Sequence, residues 1–193
     1  LVDDCTAKAE ELKWEDDLPA KLPEDGLVAI AAYSHDHGGG QAGNLYYELN
    51  KALRKRDSAS RAALMEGWGV YMHYTMGAMA KLPRIEAECY RGYPDKETAI
   101  KEYQVGRPIQ WGAFSSTSTD VAAAREFTDK ESGVIFKLTV LSGKVIKAYS
   151  YFPSEDEVLI SPQARFVVSS APYVGADGYT YVDMVEQKGT LFL

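Results

Sequence analysis

The sequence is short of the features that announce several large classes of protein. It has no excess of positive charge: 28 Asp and Glu against 21 Lys and Arg leave a formal net charge of −7. Nucleic acids and anionic membranes are held through a basic field, so this balance argues against a non-specific binder of either. The one basic cluster, Lys51, Arg54, Lys55 and Arg56, reads as a solvated helix face. No apolar run approaches the ~20 residues needed to cross a bilayer, and no transmembrane segment is expected. The longest candidate, residues 27–33, reads as part of a core. Cysteine is nearly absent. Cys5 and Cys89 make neither a disulfide framework nor a zinc site, and one pairing or two free thiols both remain open. A loop containing His35, His37, Gly38, Gly39 and Gly40 follows neither a Walker pattern nor a convincing zinc spacing, and reads as a connection. No metal is expected.

What is present describes one globular domain spanning residues 1–193. The chain is 46% hydrophobic and 25% charged, and long enough to bury a core. Residues 1–83 read as mainly helical. Helix formers fill 7–14, an acidic break with prolines follows, and Asn44 offers an N-cap for a helix over 45–56. Leu45, Leu49, Ala52 and Leu53 fall on one face of it. A further helix is expected over 60–81, ending before Pro83. Residues 84–193 read as mainly strands, at 86–90, 111–119, 133–141, 144–149, 157–161, 164–170 and 179–187, with one helix over 120–127. Helices first and strands second give an α+β class.

Three short segments hold residues suited to chemistry. In Tyr90-Arg91-Gly92, the arginine fork suits a phosphate and the glycine permits close approach of a ligand; the plainer reading is a surface arginine beside a turn. In segment 114–119, strand alternation sets Ser116 and Ser118 on one face and Thr117 on the other, as in a hydroxyl-lined cleft or a solvated edge. In segment 152–160, Glu155 and Glu157 stand two apart at the mouth of an apolar strand. If strand geometry reaches back to Glu155, both carboxylates share a side. Paired carboxylates suit reactions that pass through a cationic sugar. An acidic turn is the alternative.

Order and spacing tie the three together. Arg91-Gly92, then Ser116-Thr117-Ser118, then Phe152-x-x-Glu155-x-Glu157 resembles the R-S-E signature of the arginine-specific mono-ADP-ribosyltransferases, both cholera-toxin-like and ecto-enzyme-like. The flanks are similar too: Ala31-Ala32-Tyr33-Ser34, the stretch from Asn44 to Arg54, Ala80-Lys81-Leu82-Pro83, and Trp111-Gly112-Ala113-Phe114. The likeness runs from about Trp14 to Gln187.

The resemblance implies a fold of N-terminal helices packed on two bent, roughly perpendicular sheets that form an NAD+ cleft. It implies NAD+ as co-substrate, an arginine-bearing protein as acceptor, and release of nicotinamide. Arg91 would bind NAD+ phosphate or ribose oxygens, and the Gly92 backbone would hold the nicotinamide carboxamide. Ser116 would orient Glu157, with Thr117 and Ser118 more structural. Glu157 would stabilise the oxocarbenium ion, Glu155 would align the guanidinium, and Asp156 would point away and matter less. Phe127 matches a position that packs on nicotinamide, although a helix anchor is an equal reading. Phe152, with Tyr149 or Tyr151, lies on a turn expected to meet the target, or to pack within itself. NAD+ hydrolysis and a silent binding module are the rival functions. A soluble protein is expected, a secreted effector or a cytoplasmic domain, and the sequence leaves the compartment open.

Overall fold

Short-range sequence signals mark where three of the six described α-helices begin. The computed structural model describes residues 1–36, 38 and 42–189. Asp57, Asp95 and Asp120 each sit just before a helix and accept a bond from a first-turn backbone N–H, at Ser60, Thr98 and Ala122. Asn44 departs from this expectation. It occupies the N-cap position, yet makes no cap bond, and its Nδ2 donates to Asp36 instead.

The chain divides into two compact units. The first, Leu1–Pro83 with Lys144–Ser154, holds α1 (Val2–Lys13), α2 (Glu24–Ser34), α3 (Leu45–Leu53) and α4 (Ser58–Lys81). Its centre is α2, buried at almost every position from Gly26 to Ser34. A Cβ on Gly26 would lie 3.1 Å from that of Ala78, so a larger residue there would force α2 from α4. Leu27, Ile30, Leu49 and Met79 are fully buried around it, each worth roughly 1.5–3 kcal/mol relative to exposure. The loop with His37, Gly39 and Gly40 lies outside the described residues, although His35 packs edge-on against Tyr151, ring centroids 4.9 Å apart.

The second unit, Arg84–Gly143 with the chain from Glu155 onward, is the strand-rich one. It contains β1 (Arg84–Tyr93), α5 (Lys96–Glu102), β2 (Pro108–Gln110), β3 (Ser115–Ser118), α6 (Val121–Arg125), most of β4 (Val134–Val145), β5 (Glu157–Ile160), β6 (Arg165–Val168), β7 (Tyr173–Val174) and β8 (Thr180–Glu186). The strands hydrogen-bond in the order β1-β3-β5-β4-β8-β6-β2, with β7 on β8 and a further β1–β4 pairing. A strand has two edges, so the three partners of β4 must use different stretches of it. The expected sheets are thereby joined through β4. Phe136 of β4 anchors the core, its ring centroid 4.5 Å from Tyr103, 5.7 Å from Tyr93 and 5.9 Å from Trp111.

Several expected boundaries change. Residues 133–141 and 144–149 form no separate strands. One strand runs through Ser142 and Gly143 to Val145, and the buried Glu186 carboxylate accepts from the Leu141 and Ser142 backbone N–H groups and satisfies them there. The strand expected over 111–119 shrinks to β3, and α5 is a helix that periodicity did not reveal. The helix expected over 120–127 is only the five residues of α6, which leaves Phe127 beyond its end.

Candidate active site

Register brings the central pieces together. β3 and β5 run antiparallel with Ser116 opposite Leu159 and Ser118 opposite Glu157. Directly opposed residues share a face, as do residues two apart on a strand. Ser116, Ser118, Glu157 and Leu159 therefore occupy one face, and Thr117 and Val158 the other. β1 joins the far edge of β3 through Tyr90 opposite Ser118, which delivers Arg91 beside the serines. There an Arg91 Nη1 donates to the Ser116 carbonyl at 2.6 Å.

Glu157 is the most perturbed carboxylate of this group. It is 6% exposed in a β5 buried at all four positions. Burial pushes its carboxyl up from an ordinary value near 4.5 to about 7. A hydrogen bond from Ser116 and the charge of Arg91 act against that rise, whereas the charge of Glu155 adds to it. A buried carboxylate costs free energy unless paired, and Glu157 forms no salt bridge among the described residues. The fold sustains a poorly compensated charge here. Such placements are characteristic of sites that stabilise a passing cation.

Glu155 is reached by a different route from the one alternation suggests. It closes a 3-10 turn, Pro153–Glu155, and β5 begins only at Glu157. Asp156 between them has φ 46°, the left-handed region that Asp and Asn tolerate better than most residues. Asp156 thus matters through its backbone: this pivot, and not continuous strand, sets Glu155 where its charge is felt by Glu157. Ser118 secures the turn, its Oγ donating to the Glu155 carbonyl at 2.8 Å and accepting from Asp120 N at 2.9 Å. Thr117 donates to the Val158 carbonyl on the other face. Burial raises the Glu155 carboxyl, and the charge of Glu126 raises it further. Glu126, the residue after α6, escaped the sequence reading because nothing local distinguishes it from a solvated helix end.

Gly92 has a structural cause. A Cβ there would stand 2.2 Å from the Ala124 carbonyl oxygen and 3.1 Å from Phe127 Cβ. The close approach seen is that of the end of α6. Phe127 itself is 54% exposed, so the helix-anchor reading fails and an aromatic surface lies beside Gly92.

The aromatic residues before Glu155 belong to the first unit and divide sharply. Tyr149 is fully buried, its hydroxyl donating to Ala20 O at 2.7 Å and accepting from Ala20 N at 3.0 Å. Tyr151 packs on Cys5, Ala31 and Ala32. Tyr149 is thereby withdrawn from the surface, whereas Tyr151 is only partly buried. Phe152 is exposed. Cys5 and Cys89 are free, buried thiols, and no group of three His, Cys, Asp or Glu among the described residues is placed to hold a metal. No described helix is long and apolar enough to cross a membrane.

Comparison with known proteins gives one consistent answer. A family model described as NAD:arginine ADP-ribosyltransferase matches residues 3–190. Human ecto-ADP-ribosyltransferase 5 is 28% identical over 180 residues, covering 88% of this chain and 59% of the human protein. A putative NAD(+)–arginine ADP-ribosyltransferase, Mav, of Mycobacterium avium is 30% identical over 168 residues, covering 86% of this chain and 18% of the relative. The chain therefore spans less than two thirds of either relative. Among solved structures, the ADP-ribosyltransferase Vis of Vibrio splendidus in complex with agmatine superimposes with a TM-score of 0.70 at 23% identity, covering 99% of this chain and 88% of Vis. That likeness identifies the α+β fold as the ADP-ribosyltransferase type.

Proposed function

Because the chain belongs to the NAD:arginine ADP-ribosyltransferase family, we propose that it is one catalytic domain that cleaves NAD+ and transfers ADP-ribose to an arginine side chain of a target protein. The observation that carries this reading is the buried, hydroxyl-held Glu157, with its raised carboxyl, beside Glu155 and Arg91.

The chemistry follows from charge. Nicotinamide leaves a cationic ring as a neutral molecule, taking the electrons of the C–N bond and leaving an oxocarbenium ion on the ribose. Glu157, ionised and shielded from water, stabilises that ion through electrostatics worth about 3 kcal/mol. Ser116 holds the Glu157 carboxylate in place. Arg91, braced on the Ser116 carbonyl, takes NAD+ phosphate or ribose oxygens with its planar fork. The Gly92 backbone holds the carboxamide and Phe127 packs on the nicotinamide. Thr117 and Ser118 support this face from within the sheet. A guanidinium is almost always protonated, so Glu155 aligns it and accepts a proton as nitrogen attacks the ribose carbon. One C–N bond breaks, one forms, and one proton is released. Vis has been solved with agmatine, a guanidine compound, which accords with an arginine acceptor here. Exposed Phe152, three residues before Glu155, is the handle for the target. A soluble secreted effector or cytoplasmic enzyme accords with the acidic charge.

The test uses NAD+ labelled in the ADP-ribose and agmatine or polyarginine as acceptor. The native chain should label the acceptor and release nicotinamide; release of neither overturns the reading. Glu157→Gln should lose both activities by about a hundredfold or more. Glu155→Gln should lose transfer while retaining much of the NAD+ hydrolysis. Hydrolysis without transfer by the native chain would identify a glycohydrolase instead.

A further inference from the structure

Phe127 poses a mechanical problem. It is exposed, lies past the end of a five-residue helix, and is assigned above to the nicotinamide. So short a helix cannot hold its own orientation, because a single turn is unfavourable in isolation. The tip of α6 must therefore be held by tertiary contacts.

Two polar contacts bracket Phe127. On one side, Thr128 Oγ1 donates to the Tyr93 carbonyl at 3.0 Å, directly after Gly92 in β1. On the other, Arg125 Nη2 pairs with Asp177 Oδ2 at 2.5 Å. Asp177 lies far along the chain, in the turn between β7 and β8, and no sequence signal marked it. Its carboxylate is a hub. It accepts from the Tyr181 hydroxyl at 2.7 Å and from the Tyr179 backbone N–H at 3.2 Å, as well as from Arg125. These bonds hold the Asp177 carboxyl below the usual carboxylate range, the Tyr181 bond contributing most. The Arg125 guanidinium also lies over the Tyr179 ring, 5.5 Å from its centroid. Gly175 admits this packing, since a Cβ there would meet the Tyr181 ring at 2.7 Å and Asp177 Oδ1 at 2.8 Å. Beneath, Ala124 packs on Ile135 and Tyr181. The hairpin thus grips Arg125, two residues before Phe127, by charge and by stacking, and Ala124 beside it by burial.

We propose that Asp177 is a positioning residue for NAD+ binding: through Arg125 it fixes the tip of α6 and with it the Phe127 ring beside Gly92. The proposal rests on Phe127 being the nicotinamide platform. Asp177 touches no reacting atom. Its loss frees the platform to move, so the affinity for NAD+ falls while the bond-breaking machinery of Glu157 and Ser116 is left in place.

A double-mutant cycle tests it. Asp177→Asn, Phe127→Ala and the double variant are compared by KM for NAD+ and kcat for nicotinamide release, with folding monitored by Tm and circular dichroism. Asp177→Asn should raise KM about five- to tenfold with kcat changed less than about threefold. Asp177→Glu should restore much of the loss. In the Phe127→Ala background the same substitution should have no further effect on KM, because the ring it positions is gone. Arg125→Gln should reproduce the pattern, and it carries the test if Asp177→Asn fails to fold. An unchanged KM, or an effect undiminished in the Phe127→Ala background, overturns the role of Asp177 while leaving the transferase reading intact. A Phe127→Ala variant with native KM removes the platform itself, and the proposal with it.

Discussion

Glu157 shows how function is set against stability at one residue. Between its unfolded value near 4.5 and its folded value of about 7, the folded chain binds a proton that the unfolded chain has released. Stability therefore falls as pH rises through that window, and the full cost is present above pH 7. A shift of this size corresponds to about 3 kcal/mol. Replacing the carboxyl by an amide removes the cost. Glu157→Gln should unfold at higher temperature than the native chain at pH 8, and the difference should vanish near pH 4.5, as read by calorimetry across pH. Activity runs the opposite way, because only the ionised form stabilises a cation. The kcat/KM for NAD+ should rise with pH through about 7 and then level. A profile flat from pH 5 to 8 would show that Glu157 is not the titrating group.

Elements explain what residue types alone left ambiguous. An Arg-Gly pair at a strand end suggests room for a ligand, and the passage of α6 beside Gly92 gives the glycine a second, structural requirement. Gly92→Ala should destabilise the chain by roughly 2 kcal/mol or more in denaturant titrations, since the added methyl meets backbone that cannot swing aside. Gly77 supplies the contrast. It lies exposed inside α4 with nothing within 4 Å of its missing Cβ, so Gly77→Ala should stabilise by about 0.5–1 kcal/mol through helix propensity. The same measurement on both variants separates a glycine needed for space from one that is merely tolerated. Helix starts at Asp57, Asp95 and Asp120 answer to a side chain reaching the first turn and are local in origin. Strand ends are not local. At Leu141 and Ser142 of β4 the backbone N–H groups are satisfied by Glu186, distant in sequence, and β4 pairs with β1, β5 and β8, also remote from it.

For the molecule as a whole, the acidic balance governs behaviour in solution. With a pI near 5.0, repulsion between copies disappears at that pH and scattering by concentrated samples should peak there, fading as the pH rises toward 7. A peak near neutrality would contradict the charge balance. The division between helical and strand-rich parts at Pro83 was legible from composition and periodicity, but the return of residues 144–154 to the helical unit was not. Tyr149 is fully buried there and Tyr151 packs, partly buried, on Cys5, Ala31 and Ala32 of helices much earlier in the chain, and no local pattern encodes a partner so remote. By itself the sequence determined the family and the named chemical groups, because Arg91, Ser116, Glu155 and Glu157 follow the order of the R-S-E signature, whose meaning lies in residue type. Tertiary structure decided their states. Burial raised Glu157, a left-handed Asp156 swung Glu155 toward it, the end of α6 claimed the space at Gly92, and Asp177 came to hold Arg125. Charge, solvation and steric room depend on what lies nearby in space, and only the folded chain specifies that.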